Sequence, residues 1–234
     1  MKTILKGALL TAGLLSFASA NAADINVRIT NLTNGIYLTP LLVAAHPQDT
    51  RLFETGQPAS ANLQAMAEGG DTAGLISDLQ GLGATISDNP AAGLLAPAGS
   101  AETDLNTDGT SNVLLSVVAM MLPTNDAFIG LNAIEIPAEA GTYVYNVSAY
   151  DAGTEANDEI VNGGGMPGVP GIPVDPGAAN GMNGTGAAMA DANTTVHIHR
   201  NVLGDTDPAA GMSDLDSRVH RWLNPVVRVV VTVR

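Results

Sequence analysis

One run restricts the fold more than any other. From Val113 to Leu122 the chain reads Val-Leu-Leu-Ser-Val-Val-Ala-Met-Met-Leu, an uncharged segment that follows the turn residues Thr107-Asp108-Gly109-Thr110 and ends at Pro123. An apolar run of this length between turn signals reads as a β-strand buried on both faces. It delivers the chain into Pro123-Thr124-Asn125-Asp126. A second β-type run, Thr142–Tyr150, ends in the loop Asp151-Ala152-Gly153-Thr154-Glu155-Ala156-Asn157-Asp158-Glu159. Two strands each leaving an acidic loop at the C-terminal end is how a β-sandwich builds a site for a hard cation such as calcium, which prefers carboxylate and carbonyl oxygens.

The remaining pattern is mostly β. In Asp24–Thr30, Ile25, Val27 and Ile29 alternate with Asn26, Arg28 and Thr30, which predicts a half-buried strand closed by the turn pair Asn34-Gly35. Tyr37–Ala45 continues as an apolar run broken by Pro40, so an edge or irregular strand is expected. Helical spacing occurs only after Pro58. Ser60 is a candidate N-cap for a helix carrying Leu63, Met66 and Ala67 and ending at Gly69-Gly70. Asp71 can cap a second short helix carrying Leu75, Ile76 and Leu79, stopped by Gly81 and Gly83. Two short helices between strands fit an insertion packed across one end of a sandwich, not a βαβ repeat. Further strands are expected at 101–106, around Ile129–Ile136, at Thr194–Arg200 and at Val226–Val233, with a helical turn over Asp214–Trp222. Residues 162–193 are crowded with Gly, Pro, Ala and Asn and have neither period, which predicts a long surface excursion, mobile unless the acidic loop ties it down.

Met1 to Ala22 has the form of a secretory signal peptide: Lys2 and Lys6, the apolar run Ala8–Phe17, and Ala20-Asn21-Ala22 as cleavage site. The expected domains are therefore a leader, 1–22, and a β-sandwich, 23–234, in a secreted or periplasmic protein. Both lysines lie in the leader, so the rest has seven arginines against 23 acids, a balance of −16. Such a surface repels nucleic acid and anionic lipid. No later run is long enough to span a membrane. The absence of cysteine excludes disulfides, thiol catalysis and thiolate metal sites.

Several segments together carry a family likeness. They are Asn26-Val27-Arg28-Ile29-Thr30-Asn31-Leu32-Thr33, Leu52-Phe53-Glu54-Thr55-Gly56-Gln57-Pro58-Ala59-Ser60, and Leu63 with Ala67-Glu68-Gly69-Gly70. Leu122-Pro123-Thr124-Asn125-Asp126-Ala127-Phe128-Ile129-Gly130 and Tyr150-Asp151-Ala152-Gly153-Thr154-Glu155 are the most specific. The chain resembles the spondin-type domain, of the F-spondin and mindin kind, in a stand-alone secreted bacterial form. The resemblance implies a C2-like antiparallel β-sandwich that holds calcium through acidic residues. Two of the family's ligands correspond to Asp126 and Asp151. The third, an acid in the preceding strand, falls on Asp104, with Asp108 as the fallback. The animal cysteines and thrombospondin repeats are missing, so partners known there do not carry over.

Other patterns are weaker. Asp104-Leu105-Asn106-Thr107-Asp108-Gly109 mimics half an EF-hand loop, but the position for the bidentate acid is Leu115, inside a strand. Glu155, Asp158 and Glu159 could add an outer shell or a second ion, but the first expectation is a solvated acidic loop. His197 and His199 lie two apart and share a strand face, as zinc or copper pairs do, yet no third ligand is evident although His46 and His220 are available. Gly163-Gly164-Gly165-Met166-Pro167-Gly168 fits G-x-G-x-x-G only in letters, because Pro167 and the missing helix make it a loop. No catalytic motif stands out. The expected function is calcium-dependent adhesion, to extracellular matrix, a surface protein or a glycan. The alternative is a metal-dependent extracytoplasmic hydrolase that uses the acidic cluster with a histidine.

Overall fold

The computed structural model describes residues 24–188, 190 and 193–234. The expected signal peptide lies outside these residues. Two antiparallel sheets face one another. The first has the order β5(Ser100–Asn106)-β1(Asp24–Asn31)-β11(Val227–Val233)-β8(Gly141–Val147). The second runs β10(His197–Ile198)-β9(Ala149–Asp151)-β7(Ala127–Glu135)-β6(Leu114–Leu122)-β3(Leu42–His46)-β4(Thr85–Asp88), with β2(Tyr37–Leu38) also on β6. The chain is thus a mainly-β sandwich.

Alternation builds the core. Ile25, Val27 and Ile29 of β1 and Val227, Val229 and Val231 of β11 point inward, where they meet Leu115, Val117, Ala119 and Met121 of β6 and Val43 and Ala45 of β3. The other face of the second sheet is also buried. Val118, Met120, Leu122, Leu42, Ala44 and Phe128 pack there against Leu63, Met66 and Ala67 of α1(Ala61–Gly69) and Leu75 and Leu79 of α2(Ala73–Gly81). The helices therefore lie across the face of a sheet, not one end of the sandwich. That third layer is why every residue of β6 is buried.

Ser60 caps α1 by accepting the Leu63 N–H at 3.1 Å, and Gly70 ends it at φ 73°. The α2 N-cap is Thr72, without a side-chain bond, while Asp71 accepts the Ala73 N–H at 2.9 Å. The run after Tyr37 is interrupted as expected, but it is not an edge. The chain leaves the sheet at Pro40 and returns as β3 between β6 and β4. Thr39 bridges the gap: its N–H donates to Met120 O and its Oγ1 accepts the Met120 N–H, both at 3.0 Å. The edge is β4, which the Gly-rich stretch after α2 concealed.

Thr142–Tyr150 is two strands. β8 pairs with β11 in the first sheet, and after Ser148 the chain crosses to the second, where β9 pairs with β7 and β10. This change of sheet sets Asp151 opposite both Ala127 and His197. Within 214–222 one turn closes, through the His220 N–H to Asp216 O at 2.9 Å.

Candidate functional site

The site forms where the β6–β7 turn, residues 123–126, meets the loop that leaves β9. Thr124 shapes the turn by donating its hydroxyl to Met121 O at 2.5 Å and accepting the Ala127 N–H at 3.2 Å. Asn125 then clasps the loop. Its Nδ2 donates to Glu155 Oε2 at 3.0 Å and Asp158 Oδ1 at 2.8 Å, and its Oδ1 accepts the Glu159 N–H at 3.1 Å. Gly153 allows the loop to turn here. Its φ is 69°, and a Cβ on it would lie 2.6 Å from the Thr195 nitrogen, so only glycine lets the loop pass so close to the strand carrying His197.

Asp126 is fully buried. Its Oδ2 accepts the Thr154 N–H at 2.9 Å, the Thr154 hydroxyl at 3.3 Å and the Glu155 N–H at 3.2 Å, while its buried Oδ1 has no partner among the described residues. Burial first, and then the nearby Asp151 charge, push the Asp126 carboxyl up to about 7 against the opposing bonds from Thr154 and Glu155. Asp151 is 2 % exposed. Its Oδ1 accepts the Gly153 N–H at 2.8 Å, and its Oδ2 accepts Asn157 Nδ2 at 2.9 Å.

Three further acids, Glu155, Glu68 and Glu159, are buried as well. Glu155 is buried with Oε1 unpartnered, and its carboxyl is pushed up to about 8, mainly by burial and also by the Glu68 and Asp126 charges. Glu68, fully buried on α1, accepts Gln64 Nε2 at 2.8 Å and the Gly168 N–H at 2.7 Å. Glu159 is buried too: Leu203 N–H (2.6 Å) reaches its Oε1, and Gly204 N–H (2.9 Å) and Ser213 Oγ (2.6 Å) reach its Oε2. The loop expected to be solvated is instead folded under residues 160–188 and 199–216. Spacing held no signal of that, because what buries these acids arrives from elsewhere in the chain.

The structure brings Asp126 and Asp151 together and does not bring Asp104 to them. Asp104 is on β5 in the other sheet, on its outward face, with 61 % of its side chain exposed. It accepts Asn26 Nδ2 at 3.1 Å and pairs with Arg234 at 3.1 Å. Asp108 is exposed in the turn after β5, where its N–H donates to Asn106 Oδ1.

The histidines, in contrast, come to the acids. His197 Nε2 is 3.7 Å and His199 Nε2 is 3.8 Å from Asp151 Oδ2. His46 and His220 are held elsewhere, by Ser116 Oγ at 2.7 Å and beside Asp175 at 3.3 Å. Among the described residues no group of three or more His, Asp or Glu side chains is arranged to hold an ion unaided. The unpartnered carboxyl oxygens are Asp126 Oδ1 and Glu155 Oε1, whereas both oxygens of Asp151 accept hydrogen bonds. A cavity of about 260 Å³ reaches Asp151, with Asn157, Glu159, His199 and Arg200 in its walls.

The Spondin_N family model matches residues 31–160, more than half of the chain and both acidic segments. The chain belongs to the spondin N-terminal domain family. No curated protein matches it. Spondin domains are extracellular in type, and no helix among the described residues is long and apolar enough to cross a membrane. The match ends at Ile160, so the two histidines beside Asp151 fall outside the part of this spondin domain that the family model covers.

Proposed function

We propose that this spondin domain is an extracellular binding module that holds calcium between the β6–β7 turn and the loop after β9, with Asp126 and Asp151 as its acidic ligands. The ion orders the acidic loop and the excursion folded against it, and the ordered surface binds matrix protein or an anionic glycan. The observation that carries this reading is the unpartnered, fully buried Oδ1 of Asp126 beside a second buried aspartate. A buried carboxylate with an idle oxygen is costly, and a divalent ion removes both the desolvation penalty and the repulsion. Asp104, already paired with Arg234, is not part of the reading. Carbonyl oxygens and water complete the shell, as calcium tolerates.

The hydrolase alternative requires a histidine beside the acidic pair, and His197 is there. The family, non-catalytic in general, weighs against it. Calorimetric titration of the metal-stripped protein with calcium tests the main reading. Saturable binding is expected, with thermal stabilisation that grows with concentration, to about 2.7 kcal/mol at a hundredfold excess over Kd. No heat and no change in melting temperature at saturating calcium would refute it.

A further inference from the structure

We propose that the open edge of β8 pairs with β8 of a second copy of this chain, antiparallel about Val144, so that the first sheet continues through a two-fold dimer. This surface lies in the other sheet from Asp126 and Asp151, and the proposal does not depend on a bound cation.

The parity of the ladder shows what the edge offers. The Arg234 N–H donates to Asp24 O at 3.0 Å and continues the β1–β11 register, so the even-numbered residues of β11 turn their backbone groups to β1. The odd-numbered ones, Val227, Val229, Val231 and Val233, turn to β8, where they face Val147, Tyr145, Tyr143 and Gly141. Thr142, Val144 and Asn146 therefore direct their N–H and C=O groups away from the sheet. Among the described residues β8 pairs with β11 alone.

Edges are ordinarily blunted by brevity, charge or cover. On the opposite side of the sandwich β5 carries Glu102 and Asp104. It is also laced to β4, by Thr103 Oγ1 to Ser87 Oγ at 2.7 Å and by Thr85 Oγ1 to Asn106 O at 3.3 Å. At the end of the second sheet β10 has only two residues. β8 has seven, and residues 140–149 contain neither charge nor proline. An edge left bare in this way is a template for a further strand. A groove of about 540 Å³ beside Asn146, Val147 and Ser148 keeps its C-terminal end accessible.

Self-complementarity and charge identify the occupant. Antiparallel pairing about Val144 sets Val144 against its own copy and Thr142 against Asn146, so every outward-turned backbone group meets a mate. Val230 is the register partner of Val144 on the solvent face, so two valines from each copy form a stripe across the seam. Tyr143 comes opposite Tyr145 on the inner side. The same pairing lays the start of one β8 beside the end of the other. Glu139 is exposed just before the start, and Arg51 is exposed in the wall of the groove at the end. The arginine ion pairs among the described residues use Arg28, Arg218 and Arg234 and leave Arg51 and Glu139 unpaired. The two-fold brings Glu139 of each copy to the end where Arg51 of the other stands, and so matches opposite charges twice.

Sedimentation equilibrium of the purified protein, from about 10 to 500 μM, tests this, and a mass that doubles with concentration is expected. Val144→Lys opposes lysine to lysine across the seam and should leave a monomer throughout. Arg51→Glu should weaken the dimer by about threefold or more, and Arg51→Glu with Glu139→Arg should restore it. The chain has no cysteine, so Val144→Cys gives a single cross-linking site. Hydrogen-bonded antiparallel partners have Cα atoms about 5.5 Å apart, within disulfide reach, so mild oxidation should link two copies. Leu223→Cys, at a position 88 % exposed, is the control and should not link them. A wild type monomeric at the highest concentration overturns the proposal and leaves the edge to a strand of another protein. A dimer untouched by Val144→Lys, or equal cross-linking at both positions, overturns it as well. Should Val144→Lys fail to fold, the charge swap and the cross-link decide.

Discussion

Asp126 and Glu155 are acids whose folded environment favours the proton. Their carboxyls are pushed up to about 7 and about 8, in each case chiefly by burial. A raised folded-state value means that the fold binds protons the unfolded chain has released. The stability these acids contribute is thus complete below their ordinary range, near 4, and is lost as pH rises through about 7 and 8. Melting of the metal-free protein, followed by circular dichroism from pH 4.5 to 8.5, is expected to show a falling midpoint. Saturating calcium should flatten that fall. Asp126→Asn should flatten it too, and should raise the metal-free midpoint near pH 7.5 while abolishing the response to calcium. The likeness of their segments to the spondin family, and not their spacing, singles out Asp126 and Asp151 in the sequence. The partners of Asp151 were half legible: the spacing put His197 and His199 on one strand, but not at their distance from the acid.

At the scale of elements, the unusual feature is how the described residues within 159–216 are held with almost no strand or helix. Carboxylates take the place of a ladder. Glu159 accepts from Leu203, Gly204 and Ser213; Asp214 accepts the Val161 and Gly184 N–H groups, both at 2.9 Å; Asp175 accepts those of Gly177 and Ala179. Charge-assisted bonds of this kind are the stronger ones. Glu159→Gln keeps the size of the side chain but puts an NH₂ group against donors, so a loss of about 1.5–3 kcal/mol is expected. Hydrogen exchange should localise the loss to residues 201–214, and unchanged protection there would refute this account. The helices work by ordinary packing: Met66→Ala, at a fully buried position beneath the second sheet, should cost about 2–5 kcal/mol in urea unfolding. The doubly buried β6 was readable as an unbroken apolar run. The position of the helices was not, since an apolar stripe shows that a face is covered and not which surface covers it.

Over the whole molecule, a formal charge of −14 for the full sequence opposes compaction, and the buried acids add to that strain. Raising sodium chloride from about 10 to 150 mM shortens the Debye length to about 8 Å and should raise the metal-free melting temperature near neutral pH. Calcium should stabilise further at constant ionic strength, which separates a bound ion from general screening. The sequence by itself determined the sandwich class, most strand positions and both ends of α1, because periodicity and breakers are local and act within a few residues. Only the tertiary structure decided that β3 is interior, that the chain changes sheet at Ser148, that Asp104 pairs with Arg234, and that two histidines flank Asp151. Each of these depends on which distant segments share a ladder. That choice is made by burying all the apolar faces at once, and no local stretch carries it.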